Sequence, residues 1–193
     1  MKKSTMILLA VVAVLAIWAI SSYNGMVKED ETVGNAWGNV QSAYQRRADL
    51  IPNLVNVVKG YAEHEKGTLE GVIEARAKAT QININVEDLT EENMAKLNAA
   101  QGELSSALNK LMAVAEAYPD LKANENFKDL QVQLEGTENR INEVRNKYNE
   151  TVKSYNMKVR KFPGNIVANI FGFSPKPMFQ ADEAAQKAPE VKF

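Results

Sequence analysis

The chain has 193 residues, of which 45% are hydrophobic, and its 23 basic and 24 acidic residues give a formal net charge of −1. This balance argues against a nucleic-acid-binding protein, which needs a clustered basic field. The sequence contains no cysteine, which excludes disulfides, thiolate metal sites and cysteine nucleophiles.

The N-terminal segment is predicted to contact the membrane. An unbroken apolar run occupies Met6–Ile20, and residues 4–23 as a helix would cover about 30 Å, the thickness of a hydrocarbon core. Two interpretations compete: a cleaved signal peptide, with Ala19 and Ser21 as the small residues before the cut, or an uncleaved anchor. The length of the run favours the anchor.

The charges that flank this run predict its orientation. Lys2 and Lys3 precede it, and residues 28–31 follow it with a net negative charge. By the positive-inside rule, the N-terminus lies in the cytoplasm and the body of the protein lies outside. We divide the chain into an anchor (1–25), a helical bundle (26–173) and a proline-containing tail (174–193).

Two helical stripes follow the anchor, separated by Pro52. The first comprises Val33, Trp37, Val40, Tyr44, Arg47 and Ile51, and the second comprises Leu54, Val58, Tyr61, Glu65, Leu69 and Val72 or Ile73. A proline inside a helix removes one hydrogen bond and favours a kink, but it also suits the first turn of a new helix. The sequence therefore leaves open one long kinked helix or two shorter ones.

A connection over residues 81–89, in which Ile82 and Ile84 can fold back, leads to a third helix. Thr90 is a good N-cap for it, and Tyr118-Pro119-Asp120 ends it. Its stripe comprises Leu97, Gln101, Leu104, Leu108, Leu111, Ala115 and Tyr118.

A fourth helix is predicted over residues 124–161, before Pro163-Gly164. Its stripe comprises Phe127, Leu130, Leu134, Thr137, Ile141, Val144, Tyr148, Val152, Tyr155, Val159 and Phe162. One short apolar helix is expected at residues 166–173, and the tail after it either lies against the bundle or stays loose. The spacing predicts an all-α, antiparallel up-and-down bundle of three long or four helices.

The sequence shows no catalytic constellation. His64 is the only histidine, and neither a nucleophile motif nor a phosphate or dinucleotide loop is present. We therefore expect no enzyme activity, no cofactor and no metal.

A polar pattern on the fourth helix is the most specific local signal. Asn142, Asn149 and Asn156 recur every seven residues, and Tyr148 and Tyr155 precede the last two. Such a ladder can fix register with a neighbouring helix or a partner. The candidate seam for interaction or structure comprises Arg46, Arg47, Asp49, Asn53, Glu138, Asn139, Asn142, Arg145, Tyr148, Asn149, Tyr155 and Asn156.

Several motifs in order resemble the LemA family. They are residues 46–55 (RRADLIPNLV), 61–65 (YAEHE), Ala75-Arg76, 118–123 (YPDLKA), 138–141 (ENRI), Arg145, Tyr148-Asn149, Tyr155-Asn156 and 188–193 (APEVKF). The resemblance implies a bacterial protein with an N-terminal membrane helix and an up-and-down four-helix bundle, and it favours the anchor over the signal peptide. It supplies no catalytic activity. Neighbouring genes in such families often encode membrane metalloproteases or other membrane proteins, which suggests a partner role by association only.

These observations predict a non-enzymatic interaction or scaffold module, anchored by one helix in the bacterial cytoplasmic membrane. Its expected partners are the lipid bilayer, through residues 4–23, membrane or envelope proteins, and a second copy of the chain. The alternatives are an accessory factor of a membrane protease, or a ligand- or signal-sensing module that binds at the surface of Tyr148, Asn149, Tyr155 and Asn156.

Overall fold

The computed structural model describes residues 3–62 and 64–180. Its helices are α1 (Lys3–Lys59), α2 (Lys66–Gln81), α3 (Glu91–Glu116), α4 (Pro119–Ala123), α5 (Glu125–Arg160) and α6 (Gly164–Phe171), with a 3₁₀ turn at Val86–Asp88. There is no β-strand within these residues. The prediction of an all-α bundle is confirmed.

Helix α1 joins the apolar N-terminal run to the bundle without interruption. It has 57 residues, and its first part holds a window with a mean hydropathy of 2.4, long and apolar enough to cross a membrane. Side chains 3–18 are exposed, and Ala19 is the first residue of α1 that packs against the bundle. The same helix therefore supplies the bare apolar run and one wall of the core.

Helices α1 and α5 lie side by side and run in opposite directions, since contacts that advance along α1 retreat along α5. The pairs are Gly25 with Lys158, Trp37 with Tyr148, and Arg47 with Glu138; just past the end of α1, Tyr61 contacts Asn124, which precedes α5. Helices α2 and α3 form a second antiparallel pair, joined by Lys78 and Glu103 at 2.9 Å. This pair covers the part of α1 that is farthest from the apolar run.

Pro52 does not break α1. Its missing N–H would have bonded the carbonyl of Ala48, four residues earlier. In the structure, Nε of Arg76 on α2 donates to that carbonyl oxygen at 2.8 Å. A side chain from the neighbouring helix therefore replaces the lost backbone donor, and of the two possibilities left open by the sequence the continuous helix is correct.

The break comes later, and the predicted second stripe is wrong at this point. Helix α1 ends at Lys59, and a turn through Gly60 reverses the chain before α2. Tyr61 is 44% exposed instead of forming part of the stripe. Glycine disfavours a helix, and the reversal lets α2 pack back against α1 while Ala62 fills the corner as a buried residue.

The third and fourth helices follow the prediction closely. Thr90 accepts from the N–H of Asn93 at 3.1 Å, and Asn124 caps α5 by accepting from the N–H of Phe127 at 3.0 Å. Phe162 is the exception in the predicted stripe, because α5 ends at Arg160 and Phe162 is 75% exposed. The short helix α4 was not predicted.

The buried side chains form two apolar clusters along the bundle. The proximal cluster, on the side of the apolar run, includes Met26, Val33, Trp37, Val40, Ile141, Tyr148, Val152, Tyr155, Val159 and Phe179. The distal cluster includes Ile51, Leu54, Val58, Leu69, Val72, Leu104, Leu108, Leu111, Leu121 and Phe127. Ile84, in the loop after α2, folds back into the proximal cluster as predicted.

The role of Arg76 can be tested by a double-mutant cycle with Pro52. In the wild-type chain, Arg76→Met should lower the free energy of unfolding by about 1–3 kcal/mol, because the Ala48 carbonyl loses its donor. In a Pro52→Ala background, residue 52 regains its own N–H, so the same substitution should cost less. Denaturant unfolding followed by circular dichroism measures both, and equal costs in the two backgrounds would contradict this account.

Candidate functional site

A buried arginine connects three helices near the middle of the bundle. Arg47 on α1 is 2% exposed. Its Nη1 donates to Oγ of Ser105 at 3.0 Å and to Oε1 of Glu138, and its Nη2 donates to Oε1 of Gln101. One guanidinium group thus connects α1 with α3 and with α5. We call Arg47, Gln101, Ser105 and Glu138 the polar layer.

The polar layer lies where the proximal and distal clusters meet. Gln101 is 8% exposed, whereas the side chain of Glu138 is 39% exposed and reaches solvent. The Cζ atom of Arg47 lies 5.6 Å from the ring centroid of Tyr44, and its Nε has no hydrogen-bond partner in the described part of the chain. A buried cation with one ion-pair partner is stable only while that partner stays in place.

A second polar group grips the extended segment that follows α6, residues 174–180, which we call the strap. Asn149 accepts from the N–H of Phe179 at 2.8 Å and donates to its carbonyl oxygen at 2.9 Å. Asn156 does the same with the N–H and the carbonyl of Lys176, each at 2.8 Å. Each amide therefore satisfies both backbone groups of one strap residue.

The spacing of the two asparagines matches the strap. Seven residues of an α-helix rise about 10 Å, and three residues of an extended chain cover about the same distance. Asn149 and Asn156 are seven residues apart, and their partners Phe179 and Lys176 are three apart. The heptad repeat of α5 therefore holds the backbone of an extended chain in register.

Side chains of the strap strengthen this grip. Phe179 is 6% exposed, and its ring centroid lies 6.1 Å from that of Trp37 and 5.3 Å from that of Tyr148. Cζ of Arg145 lies 4.6 Å from the same ring centroid, in a cation–π geometry. The phenylalanine closes the proximal cluster from outside.

Charge and burial also act on the tyrosines beneath the strap. Lys176 Nζ forms an ion pair with Asp30 at 2.6 Å, and the hydroxyl of Tyr148 donates to the carbonyl of Pro177 at 3.0 Å. Burial raises the pKa of Tyr148 well above its usual range, and burial with the nearby Asp30 carboxylate raises the pKa of Tyr155 to about 12. Both phenols stay neutral at physiological pH. The stability linked to their raised pKa is present below about pH 10 and is lost as the pH rises further.

The other residues of the predicted seam lie elsewhere. Arg46, Asp49 and Asn53 are exposed on one side of α1, and Asn139 and Asn142 are exposed on α5. The predicted ligand surface was Tyr148, Asn149, Tyr155 and Asn156, but the strap covers it. The asparagine repeat was expected to contact a neighbouring helix or a partner. Instead, Asn149 and Asn156 bind the strap, a segment of the same chain.

A groove lies beside the polar layer. It has a volume of about 800 Å³ and runs between α1, the loop after α2, and α3. Its lining includes Gln41, Tyr44, Gln45, Arg46, Asp49, Asn83, Leu97 and Gln101. Within residues 3–62 and 64–180, no three histidine, aspartate or glutamate side chains are grouped as metal ligands.

Sequence reasoning missed several members of these groups. Ser105, Lys176 and Phe179 were not assigned to a site, and Gln101 was assigned only to the stripe of α3. A glutamine among leucines at a core position was the one available signal, because such a residue needs a buried polar partner. Nothing in the periodicity marked the strap, which is extended and short.

The sequence is similar to a known family and to several curated proteins. Residues 36–193 match the sequence model of the LemA family. Magnetosome protein MamQ 2 of Paramagnetospirillum magneticum is 28% identical over 198 residues, which cover 91% of this chain and 73% of that protein. Magnetosome protein MamQ of Magnetospirillum gryphiswaldense is 25% identical over 84% of this chain and 66% of its own length. Protein LemA of Metamycoplasma hominis is 24% identical over 83% of this chain and 69% of its own length.

The polar layer predicts unequal effects for its two charged members. Glu138→Leu should cost about 3–5 kcal/mol, because it leaves the buried Arg47 without a counter-ion. Arg47→Met should cost less, because the remaining carboxylate can reach water and the methionine fills the space between the clusters. The double variant should recover most of the loss from Glu138→Leu. Chemical denaturation of all four proteins tests this, and strictly additive losses would show that the pair is not coupled.

Proposed function

This chain belongs to the LemA family, and from that membership we propose that it is a membrane-anchored, non-enzymatic interaction or scaffold module at the surface of the bacterial cytoplasmic membrane. The continuity of α1 carries this proposal. One helix of 57 residues, about 85 Å long, joins an exposed apolar run to the centre of the bundle. A rigid connection of this kind holds a binding surface at a fixed height and angle above the bilayer.

The orientation belongs to the same proposal. Lys3 precedes the apolar run, and Glu29, Asp30 and Glu31 follow it on the bundle side. With the N-terminus in the cytoplasm, the bundle lies outside the cytoplasmic membrane.

The described side chains support a role without turnover. Arg47, Gln101, Asn149 and Asn156 are engaged in hydrogen bonds within the polar layer or to the strap. His64 is exposed in the turn between α1 and α2. Catalysis needs an activated nucleophile or acid–base pair within reach of a bound substrate, and these groups do not provide one.

A polar stripe on α1 is the surface we assign to a protein partner. Ser42, Arg46, Asp49 and Asn53 are exposed and lie three or four residues apart, which places them on one face of the helix. Ser42, Arg46 and Asp49 also border the groove. A membrane or envelope protein, including a membrane protease that this chain assists, or a second copy of the chain would dock on this face.

Photocrosslinking in living cells tests the partner surface. A photoreactive amino acid at Arg46 or Asn53 should give discrete adducts with membrane proteins or with the chain itself. The same group at Val132, which is 67% exposed on α5, is the matched control and should give none of these adducts. An interaction role would be contradicted if the adducts did not depend on the position of the probe. It would also be contradicted if no adducts formed and the protein remained monomeric in detergent.

The groove favours a second candidate function, the sensing of a small ligand between helices. Native mass spectrometry of the detergent-extracted protein should then show a bound small molecule. Ser42→Trp, at an exposed position on the rim, should fill the groove and remove that mass. A wild-type protein that carries no extra mass when extracted gently would count against this function.

A further inference from the structure

Helix α6 is apolar on both of its faces. Its sequence is GNIVANIF, without a charged residue. Val167 and Ala168 are buried against the proximal cluster, whereas Ile166 and Ile170 point outward and are 49% and 70% exposed. Asn165 and Asn169 are the only polar side chains of α6, so Ile166 and Ile170 leave an apolar stripe uncovered on its outer face.

The outer face of α6 is part of a larger apolar surface. Phe162, just before the helix, is 75% exposed, and Phe171 at its end is 57% exposed. Together Phe162, Ile166, Ile170 and Phe171 form what we call the apolar collar. In the described chain beyond residue 23, the other exposed large hydrophobic side chains, Tyr61, Ile73, Val132, Met157 and Met178, do not lie on this helix.

The collar lies beside the end of the predicted membrane span. The ring centroid of Phe171 is 4.8 Å from that of Tyr23, and the ring of Phe173 is 5.6 Å from it. A Cβ added to Gly164 would lie 3.0 Å from the backbone carbonyl oxygen of Lys158 on α5 and 3.3 Å from Met26 Cε on α1, so the start of α6 packs closely against both helices. Helix α6 therefore packs at the level where α1 leaves the hydrocarbon core.

The height of the bundle on α1 fixes the environment of the collar. Residues 4–23 are needed to span the hydrocarbon core, yet the bundle already packs against α1 from Ala19 onward. The base of the bundle thus overlaps the last turn of the span. With α1 inserted, side chains at this base would lie at the depth of the membrane interface, where exposing an apolar face costs less than in water.

The charges beside the collar fit the same environment. Arg160 and Lys161 are exposed and directly precede Phe162. Long basic side chains at the boundary of an apolar surface can reach lipid phosphates while their stems stay in the apolar region. An amphipathic surface of this composition is typical of segments that lie in the membrane interface.

We propose that α6 and Phe162 form a second membrane contact, with the collar embedded in the interface of the leaflet from which the bundle emerges. The bilayer is the occupant because the collar continues the lipid-facing surface of α1. This inference rests on the proposed membrane insertion of α1. It adds that the bundle lies against the membrane and does not stand clear of it.

Spin-label accessibility in the full chain tests this contact. The chain has no cysteine, so single cysteines can be placed at Ile170, Val14 and Val132, which are 70%, 66% and 67% exposed. The labelled proteins are reconstituted in vesicles of phosphatidylcholine and phosphatidylglycerol. Oxygen, which partitions into lipid, should relax the labels at 14 and 170 several-fold more than a water-soluble nickel chelate. The label at 132 should show the opposite preference.

The outcomes separate the collar from the anchor. Preference for nickel at 170 with preference for oxygen at 14 would overturn the second contact and leave the anchor intact. Preference for nickel at both positions would overturn both. Protection of 170 from both reagents would identify a protein partner or a second copy as the covering surface, and would also overturn the proposal. Phe162→Cys gives an independent readout of the same surface, and circular dichroism verifies that each variant is folded.

Discussion

The buried guanidinium group of Arg47 is the constraint on which the rest of the bundle depends. A cation that is 2% exposed is tolerated only when its donors find fixed acceptors, and these acceptors are on α3 and α5. Sliding any one of the helices along its axis would separate the charge from its partners. The polar layer therefore sets the register of three helices. The apolar clusters on either side supply most of the stabilisation, but they constrain the helix register less strictly.

The strap shows how a helix can hold an extended chain. The backbone N–H groups in the body of helix α5 are already bonded within the helix. The helix therefore cannot form the backbone hydrogen bonds by which one β-strand pairs with another. Asn149 and Asn156 supply the missing donor and acceptor pairs through their side chains, and Phe179 anchors the segment in the proximal cluster. Asn142, one heptad away, is exposed.

Periodicity predicts those parts of the fold that depend on local sequence. The stripes of α3 and α5 and the cap at Thr90 are decided within a few residues, and they were predicted well. The passage of α1 through Pro52 was not predictable, because it depends on Arg76, which is 28 residues away from Ala48 in sequence. Arg47 and Glu138 are 91 residues apart, and although both were candidate seam residues, the sequence did not show that they pair with each other. The strap is held by side-chain amides, which leave no periodic trace in the strap itself.

The separation of the core into two clusters has a consequence for the order of folding during synthesis. The distal cluster is built from α1, α2, α3, α4 and the start of α5, so it can close before most of α5 has left the ribosome. Trp37 can donate to the carbonyl of Ile84 earlier, but its contacts with Tyr148 and Phe179 must wait until these residues are made. The side of the proximal stripe of α1 that faces α5 therefore stays uncovered through most of translation, and a chain stalled in this state would offer that side to chaperones or to other nascent chains.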